Sequence, residues 1–345
     1  WSTAYQPTLK KPKYYEAIFS EGRAEFRRSD NGIDAHTSIV VSPEDDIELR
    51  RTLITNRARI RKKIDITSYA EVVLAPQASD AMHPAFGNLF MRTDIDRELH
   101  TIICHRRPRS ATEKTPWYFH LMTAYGPDPE EISYETDRAK FIGRWNSAAS
   151  PLAMNEQAPL SGSEGSVLDP IAAIRFRISL DPGESATIDI VSGIGETRSD
   201  AINLAGKYKD RRLADRVFDL AWTQGQVILR HLNIKEADAQ MYGHLAGSIL
   251  YAHAALRADP GIIARNRRGQ SSLWGYSISG DVPIVLLQIE DPANIILVRQ
   301  LIQAHNYWRI KGLIVDLVIW NEDHAGYRQL LHDQIMDLLA TGTET

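Results

Sequence analysis

Residues 24–41 read AEFRRSDNGIDAHTSIVV, and this stretch decides the fold class of the first half of the chain. Two runs of alternating residues flank Asn31-Gly32. Both turn residues tolerate positive φ angles, and Asn-Gly between two alternating runs is the strongest short-range signal for a β-hairpin. The stretch therefore predicts two antiparallel strands joined by a tight turn.

Strand-like segments continue around this hairpin, from about Tyr14 to Ser192. A second hairpin closes the region: residues 171–180 alternate, residues 181–184 (Asp-Pro-Gly-Glu) signal a turn, and residues 185–191 return. Many short strands with regular turns and no helices between them predict an antiparallel β-sandwich, which we place at residues 1–195. Further strands are predicted at residues 47–55, 63–74, 89–93, 99–105 and 117–123.

After Gly195 the periodicity of the apolar residues changes from two to three or four. Residues 197–200 (Thr-Arg-Ser-Asp) offer N-cap side chains for a helix that runs towards Tyr208. Apolar residues then recur at helical spacing over residues 213–228. Helices are also predicted at residues 244–256, from Asp291-Pro292 onwards, and at residues 325–339. The chain is therefore expected to be an α+β multidomain protein.

The composition of the 345-residue chain is that of a soluble globular protein, with 43% hydrophobic and 24% charged residues. A net charge of −4 gives no basic field of the kind that attracts nucleic acid. The one cysteine, Cys104, lies in an apolar run and is expected to be a buried, inert thiol, which favours a reducing compartment. No secretory signal or membrane-spanning run is apparent, so a cytoplasmic location is expected.

The most unusual segment is residues 265–284, which read RNRRGQSSLWGYSISGDVPI. Aromatic side chains stack on sugar faces, while arginine and aspartate bind hydroxyl or phosphate groups through charge-assisted hydrogen bonds. Pro283 suits the first turn of a following helix, with Asp281 near its cap. From the residues alone, Asp281 either binds a ligand or caps that helix, and the two roles are compatible.

A second segment, residues 305–323, runs from a helix end at Gly312 into a short apolar stretch that leads to Asn321-Glu322-Asp323. These acids are candidates for acid–base chemistry or for capping the next helix. The sequence contains neither a phosphate-binding Gly-rich loop with lysine nor a His-Glu-x-x-His motif nor a serine nucleophile elbow. The spacing of the histidines relative to acids does not indicate a metal site.

These segments together resemble the phosphorylases of glycoside hydrolase family ninety-four, in particular the branch within cyclic β-1,2-glucan synthases. The resemblance covers nearly the whole chain. The residues that carry it are Trp274, Ile278-Ser279-Gly280-Asp281, Pro283-Ile284, Trp1-Ser2, Gln6-Pro7-Thr8, residues 41–46, Lys311-Gly312-Leu313, residues 316–319 and Glu322.

The resemblance implies an N-terminal β-supersandwich, a helical linker at residues 196–258 and the first helices of an (α/α)6 barrel at residues 259–345. It implies inverting phosphorolysis of β-glucan, in which inorganic phosphate is the nucleophile and a single carboxylic acid protonates the leaving oxygen. No metal or organic cofactor is implied. Asp281 matches a sugar-binding aspartate, Arg267 or Arg268 an arginine near sugar and phosphate, and Trp274 a pocket residue. Glu322 lies on a barrel segment.

The family's general acid lies further along the barrel, in a segment that residues 324–345 do not resemble. We therefore expect this chain to lack the catalytic acid and to expose one side of an incomplete barrel, favouring self-association or the remainder of a larger synthase as partner. In such a synthase the region would belong to an inner-membrane protein. The alternative is a non-catalytic carbohydrate-binding or oligomerisation module.

Overall fold

The hairpin around Asn31-Gly32 is present in the computed structural model of the protein. After β1 (Tyr14–Ser20), strand β2 (Arg23–Asp30) pairs antiparallel with β3 (Ile33–Val41). Asn31 and Gly32 have φ angles of 51° and 75°, as the turn requires. The prediction of this hairpin is confirmed.

The structure describes residues 1–108, 110, 113–155, 158–323 and 330–342. Its contacts group the chain into two units, Trp1–Gln224 and Gly225–Thr345. The division into three domains at residues 195 and 258 stays a prediction.

The first unit contains two antiparallel sheets. Its further strands are β4 (Ile47–Asn56), β5 (Lys62–Thr67), β6 (Ala70–Glu71), β7 (Met91–Asp96), β8 (Thr101–Arg106), β9 (Trp117–Tyr125), β10 (Glu131–Asp137), β11 (Pro170–Leu180) and β12 (Ser185–Gly195). The larger sheet has eight strands in the order β1-β2-β3-β4-β12-β9-β8-β7. The smaller has the order β10-β11-β5, and β6 also pairs with β11.

The inner faces of the two sheets bury one apolar core, which includes Ile102, Met122, Ile174, Phe176 and Ile188. Cys104 is fully buried in this core, as predicted. Burial raises the pKa of its thiol well above the usual range, so the sulfur stays protonated and inert. The predicted N-terminal sandwich is therefore confirmed.

The prediction that no helices interrupt the strands is wrong. Among the described residues, four helices of four to six residues lie between strands: α1 (Gln77–Met82), α2 (Pro84–Asn88), α3 (Arg138–Ile142) and α4 (Leu152–Asn155). Helices this short do not complete the periodic pattern that identifies a helix in sequence. Phe141 and Ile142 of α3 pack on Ile171 and Ala173, which explains why β11 is buried on both faces.

Helices α5 (Arg198–Lys209) and α6 (Arg211–His231) follow the last strand of the sandwich. Ala201, Ala205 and Tyr208 of α5 join a second core with Leu49 and Phe119 of the larger sheet. The predicted cap is confirmed: Thr197 and Asp200 form a reciprocal capping box at the start of α5.

The second unit contains a β-α-β arrangement. Its elements are α7 (Glu236–Leu250), α8 (Pro260–Arg265), β13 (Ile284–Ile289), α9 (Ile295–Ile310), β14 (Asp316–Asn321) and α10 (Leu330–Gly342). Strands β13 and β14 pair in parallel, with α9 as the crossover between them. Trp308 and Tyr242 anchor one core of this unit, and Val298 and Leu331 another.

Several expectations for the second half need correction. Pro283 precedes strand β13 and not a helix, so Asp281 does not cap a helix. The apolar run after Pro283 suited a buried helix or a strand equally well, because a run of four to eight residues carries no usable period. The helix predicted at residues 244–256 is Glu236–Leu250, followed by a separate 3₁₀ turn at Ala254–Leu256. The last helix is described from Leu330, and its predicted start at Ala325 lies outside the described residues.

Other predictions hold in this half. Helix α9 ends at Ile310, and Gly312 follows with φ of +84°, the left-handed conformation of a helix C-terminus. Residues 316–321 are extended, as predicted. The start of an (α/α)6 barrel stays a prediction.

Candidate functional site

The loop between α8 and β13 brings Trp274 and Asp281 together. It contains a 3₁₀ helix over Gln270–Tyr276 and then turns back through Ser279 and Gly280. The Gln270 amide donates to Oδ1 of Asp281 at 2.7 Å and to the Ser279 carbonyl at 2.9 Å. The indole N–H of Trp274 donates to the same carbonyl at 3.3 Å. An exposed aromatic ring and a carboxylate are thus held on one short, internally bonded loop.

Gly280 is required for this turn. Its φ is +74°, in the left-handed region that favours glycine. A Cβ atom at this position would lie 2.9 Å from Cγ of Gln270 and 3.0 Å from Cδ1 of Leu273. The glycine therefore lets the backbone approach the residue that holds Asp281.

A second acid approaches the loop from the sheet. The Ser279 hydroxyl accepts from the Asp281 backbone N–H at 3.2 Å and donates to Oδ2 of Asp316 at 3.5 Å. The Asp316 backbone N–H donates to the Pro283 carbonyl at 2.9 Å, where the parallel pair begins. Sequence reasoning did not identify Gln270, Ser279 or Asp316 as site residues. Recognising β13 and β14 as parallel strands would have placed both strand starts at one edge.

Glu322 lies at the other end of the parallel pair. Its carboxylate accepts from the Gln288 amide at 2.6 Å, and its backbone N–H donates to the Ile289 carbonyl at 2.8 Å. Six-residue strands at ~3.3 Å per residue separate the two ends by roughly 17 Å. The structure therefore does not bring Glu322 to Asp281.

Arg267 and Arg268 are exposed earlier in the same loop. The Arg268 backbone N–H donates to Oδ1 of Asn266 at 2.9 Å. Trp274 is 64% exposed, so its ring face is open for stacking. The four candidates of this loop are thus on one segment. Of these, Trp274 and Asp281 are connected through Ser279, which bonds to both.

Residues 42–46, which belong to a segment that supports the family resemblance, line a cavity of about 310 Å³ in the first unit. Two of its acids form ion pairs with basic residues of α5 and α6: Asp45 with Lys207 and Glu44 with Arg216, each at 2.6 Å. These two ion pairs connect the helices to the turn between β3 and β4. Within the described part of the chain, no group of three or more His, Cys, Asp or Glu side chains is arranged to hold a metal ion.

The chain belongs to glycoside hydrolase family 94 through its supersandwich domain. The family model described as "Glycosyl hydrolase 94, supersandwich domain" matches residues 1–211. The resemblance identified from the sequence is confirmed by this match.

One relative extends the similarity beyond the sandwich, and others match a share of the chain comparable with the sandwich. The cyclic β-(1,2)-glucan synthase NdvB of Rhizobium meliloti (strain 1021) is 30% identical over 95% of this chain and 12% of its own length. The N,N'-diacetylchitobiose phosphorylase of Vibrio proteolyticus is 24% identical over 63% of this chain and 26% of its own. The solabiose phosphorylase of Paenibacillus borealis is 23% identical over 60% of this chain and 26% of its own length. The chain thus spans about an eighth to a quarter of these relatives.

None of the helices in the described residues is long and apolar enough to cross a lipid bilayer.

Proposed function

We propose that this chain is part of a glycoside-phosphorylase-type protein acting on β-1,2-glucan, and that the loop carrying Trp274 and Asp281 contacts the sugar. The observation that carries the proposal is the Asp281 carboxylate, held at 2.7 Å by Gln270 on the same loop as an exposed indole. A fixed carboxylate binds sugar hydroxyls through charge-assisted hydrogen bonds, and an aromatic face covers the apolar side of a sugar ring.

The β-1,2 linkage is supported by a relative whose name specifies a cyclic β-(1,2)-glucan. That similarity covers 95% of the chain. The matching phosphorylases are named for other disaccharides and match about 60% of it. We therefore assign the glucan type from the former and the phosphorolytic chemistry from the latter.

In the proposed reaction, phosphate attacks the anomeric carbon, the glycosidic bond breaks with inversion, and the departing oxygen takes a proton from a carboxylic acid. Phosphate replaces the activated water of an inverting hydrolase, so one carboxylic acid suffices and no cofactor is required. Asp281 serves hydroxyl binding in this scheme, and Arg267 or Arg268 contacts phosphate. We place the general acid outside these 345 residues, and Glu322 outside the Asp281 subsite.

The second unit exposes many large apolar side chains, which favours a covering partner. Besides Trp274, six of them lie on or near the two helices before the loop, or in the loop itself, and each is more than half exposed: Leu250, Tyr251, Leu256, Ile262, Ile263 and Tyr276. We propose that the remainder of an (α/α)6 barrel, within a larger synthase, covers this surface, and that the isolated chain self-associates through it. In that setting the unit would lie on the cytoplasmic side of an inner-membrane protein.

Calorimetric titration with β-1,2-glucooligosaccharides, with and without inorganic phosphate, tests the proposal. We expect binding that Asp281→Asn weakens about 10- to 100-fold, because a hydrogen bond to a charged group contributes roughly 1.5–3 kcal/mol. The control is Glu290→Gln, an exposed carboxylate just past the other end of β13. We also expect phosphate to strengthen sugar binding, and the double replacement of Arg267 and Arg268 by alanine to remove that effect.

A measurement of glucose 1-phosphate release tests whether the chain contains the general acid. No release from a chain that binds glucan through Asp281 agrees with a general acid located elsewhere. Release would contradict that placement and direct mutagenesis to Glu322 and Asp323. Binding that Asp281→Asn leaves intact would instead favour the alternative of a non-catalytic carbohydrate-binding module.

A further inference from the structure

Strand β1 lies at one end of the eight-stranded sheet, where its only ladder is the antiparallel one with β2. A two-residue turn connects these strands, so Ser20 and Arg23 form a hydrogen-bonded pair and every second residue of β1 bonds to β2. Tyr15, Ala17 and Phe19 therefore direct their backbone N–H and C=O groups to the open side of the strand. Within the described part of the chain, no backbone group from outside the sheet bonds to them.

The sequence of β1 does not protect this open edge. Natural edge strands usually carry lysines, proline or a bulge, which prevent pairing with another chain. Residues 14–20 read YYEAIFS, with neither lysine nor proline, and their register with β2 is unbroken. The one charged side chain, Glu16, is paired with Arg27 at 3.2 Å. Phe19 is 70% exposed, so the edge is also apolar.

The strand is complementary to a second copy of itself in the antiparallel direction. A two-fold axis beside Ala17 pairs all seven residues of β1, whereas an axis beside Tyr15 or Phe19 shortens the overlap. The exposed alanine side chains are small and lie next to each other at the axis. The same register sets Tyr15 of one copy opposite Phe19 of the other, and cross-strand aromatic pairs stabilise antiparallel sheets.

The charges at the two ends of the strand agree with this register. Lys13 is exposed just before β1, and Glu21 follows the strand at the hairpin turn. Antiparallel pairing about Ala17 sets Lys13 of each copy opposite Glu21 of the other, so the symmetry forms this pair twice. Within the strand, Glu16 lies opposite Ile18. No two like charges therefore oppose one another, which would destabilise the pair.

Aromatic rings of both strands extend the surface beside the edge. The Phe26 ring lies between those of Phe19 and Tyr15, with centroids 6.0 Å and 6.5 Å away. Tyr5 continues the row, 6.4 Å from Tyr15. In the paired arrangement, Phe19 of each copy reaches the row of the other, and the burial of its exposed ring stabilises the contact.

We propose that β1 is a dimerisation edge, at which two copies of this chain join their eight-stranded sheets into one continuous antiparallel sheet. About six backbone hydrogen bonds form across the two-fold axis, because each of three residue pairs exchanges two of them. One pair joins the two copies of Ala17, and the other two join Tyr15 to Phe19. This contact is independent of the Asp281 loop and of the apolar surface of the second unit.

Cysteine cross-linking tests the register, because the native Cys104 is fully buried. Residues of a hydrogen-bonded antiparallel pair have Cα atoms about 5.5 Å apart, within the range of a disulfide. We expect oxidised glutathione, which is itself reduced, to convert Ala17→Cys into a covalent dimer. The matched control is Ser20→Cys, also exposed on β1, which should stay monomeric because its two copies lie roughly 20 Å apart.

Both cysteine variants are made in the Leu256→Ser background, so that association through the second unit is weakened and the two contacts fail separately. No covalent dimer from Ala17→Cys overturns the proposal. Equal yields of dimer from Ala17→Cys and Ser20→Cys overturn it as well, because collisions without a fixed register would give that result.

Two further substitutions test the contact without a cross-link, by sedimentation velocity in the same background. Phe19→Ser should weaken dimerisation about 10- to 100-fold, since burying a large apolar side chain is strongly favourable. Phe86→Ser is the control, because Phe86 is 52% exposed in the same unit but lies on α2. Ala17→Pro removes an N–H that β2 does not use, so dimerisation should be lost with little change in melting temperature.

The proposal is also overturned if a folded Ala17→Pro variant still dimerises. Equal effects of Phe19→Ser and Phe86→Ser would contradict it independently of the proline variant.

Discussion

At the scale of single residues, His120 shows how the sandwich tolerates a polar side chain in its interior. The ring is 2% exposed on β9. Nδ1 lies 2.8 Å from the Ser192 hydroxyl and Nε2 lies 2.8 Å from the Ser68 hydroxyl, so both nitrogens have partners. Burial, reinforced by the charge of Arg50, lowers the pKa of His120 to about 3. The folded protein therefore holds this imidazole neutral.

This burial predicts a loss of stability in acid. Between pH 6.5, the ordinary pKa of the ring, and about 3, the unfolded chain binds a proton that the folded chain does not. The free energy of unfolding should therefore fall as the pH decreases through this window, by up to about 1.4 kcal/mol per pH unit from this residue. Urea-unfolding midpoints measured from pH 8 to pH 4 check this expectation.

His120→Gln should be less stable than the native chain at pH 8, because the fit to both hydroxyls is lost, but its stability should depend less steeply on pH. The control is His83→Gln, since His83 is exposed in the same unit. Equal pH slopes for the native chain and His120→Gln would contradict the assignment.

The residues of the candidate loop were partly predictable from the sequence. Trp274 and Asp281 stand out by chemical type within one short segment. Gln270 and Asp316 do not stand out, because only the folded chain brings each one to its hydrogen-bond partner. Gln270 bonds to Asp281, and Asp316 bonds to Ser279. Glu322 was grouped with Asp281 as a site candidate, although the length of a strand separates them.

At the scale of elements, two glycines of adjacent elements occupy opposite environments. Gly193 lies in β12, in the interior of the larger sheet, where a Cβ atom would meet Cγ2 of Ile47 at 2.5 Å and the Asp46 carbonyl at 2.7 Å. Gly206 lies at the start of the last turn of α5, where a Cβ atom would meet nothing within 4 Å. The same substitution should therefore have opposite effects at the two positions.

Gly193→Ala should destabilise the first unit by about 1–3 kcal/mol, because the methyl group overpacks a rigid sheet. Gly206→Ala should stabilise it by about 0.5–1 kcal/mol, because alanine loses less conformational freedom in a helix than glycine does. Urea unfolding of both variants checks the pair, and each serves as the control for the other. A destabilised Gly206→Ala or a neutral Gly193→Ala would refute this account.

Elements specified by local chemistry were predictable from the sequence, and elements specified by their neighbours were not. Three features depend on residue types that strongly favour one local structure: the Asn31-Gly32 hairpin turn, the Thr197 helix cap and the helix end at Gly312. Strand β13 depends on pairing with β14 across 16 residues of helix α9, and its own apolar run does not distinguish strand from helix. The short helices α1 to α4 were missed because a single turn has no period to detect.

At the scale of the whole molecule, the sequence described the first unit better than the second. The sandwich encloses its own core between two sheets. The alternation of apolar and polar residues along its strands therefore shows which side chains face that core. The second unit leaves many large apolar side chains exposed, and its pattern therefore reflects surfaces that are uncovered in this chain. Exposed apolar side chains of this kind predict that another surface covers them, but they do not specify the fold to which that surface belongs.

The exposed apolar surface of the second unit predicts concentration-dependent self-association of the chain. Leu256→Ser should weaken association about tenfold, because burying a leucine side chain contributes roughly 1.5–3 kcal/mol. Leu168→Ser is the matched control: Leu168 is 77% exposed and Leu256 is 68% exposed, but Leu168 belongs to the first unit. Sedimentation velocity over a hundredfold range of concentration measures both. A native chain that stays monomeric throughout, or equal effects of the two substitutions, would show that this surface does not drive association.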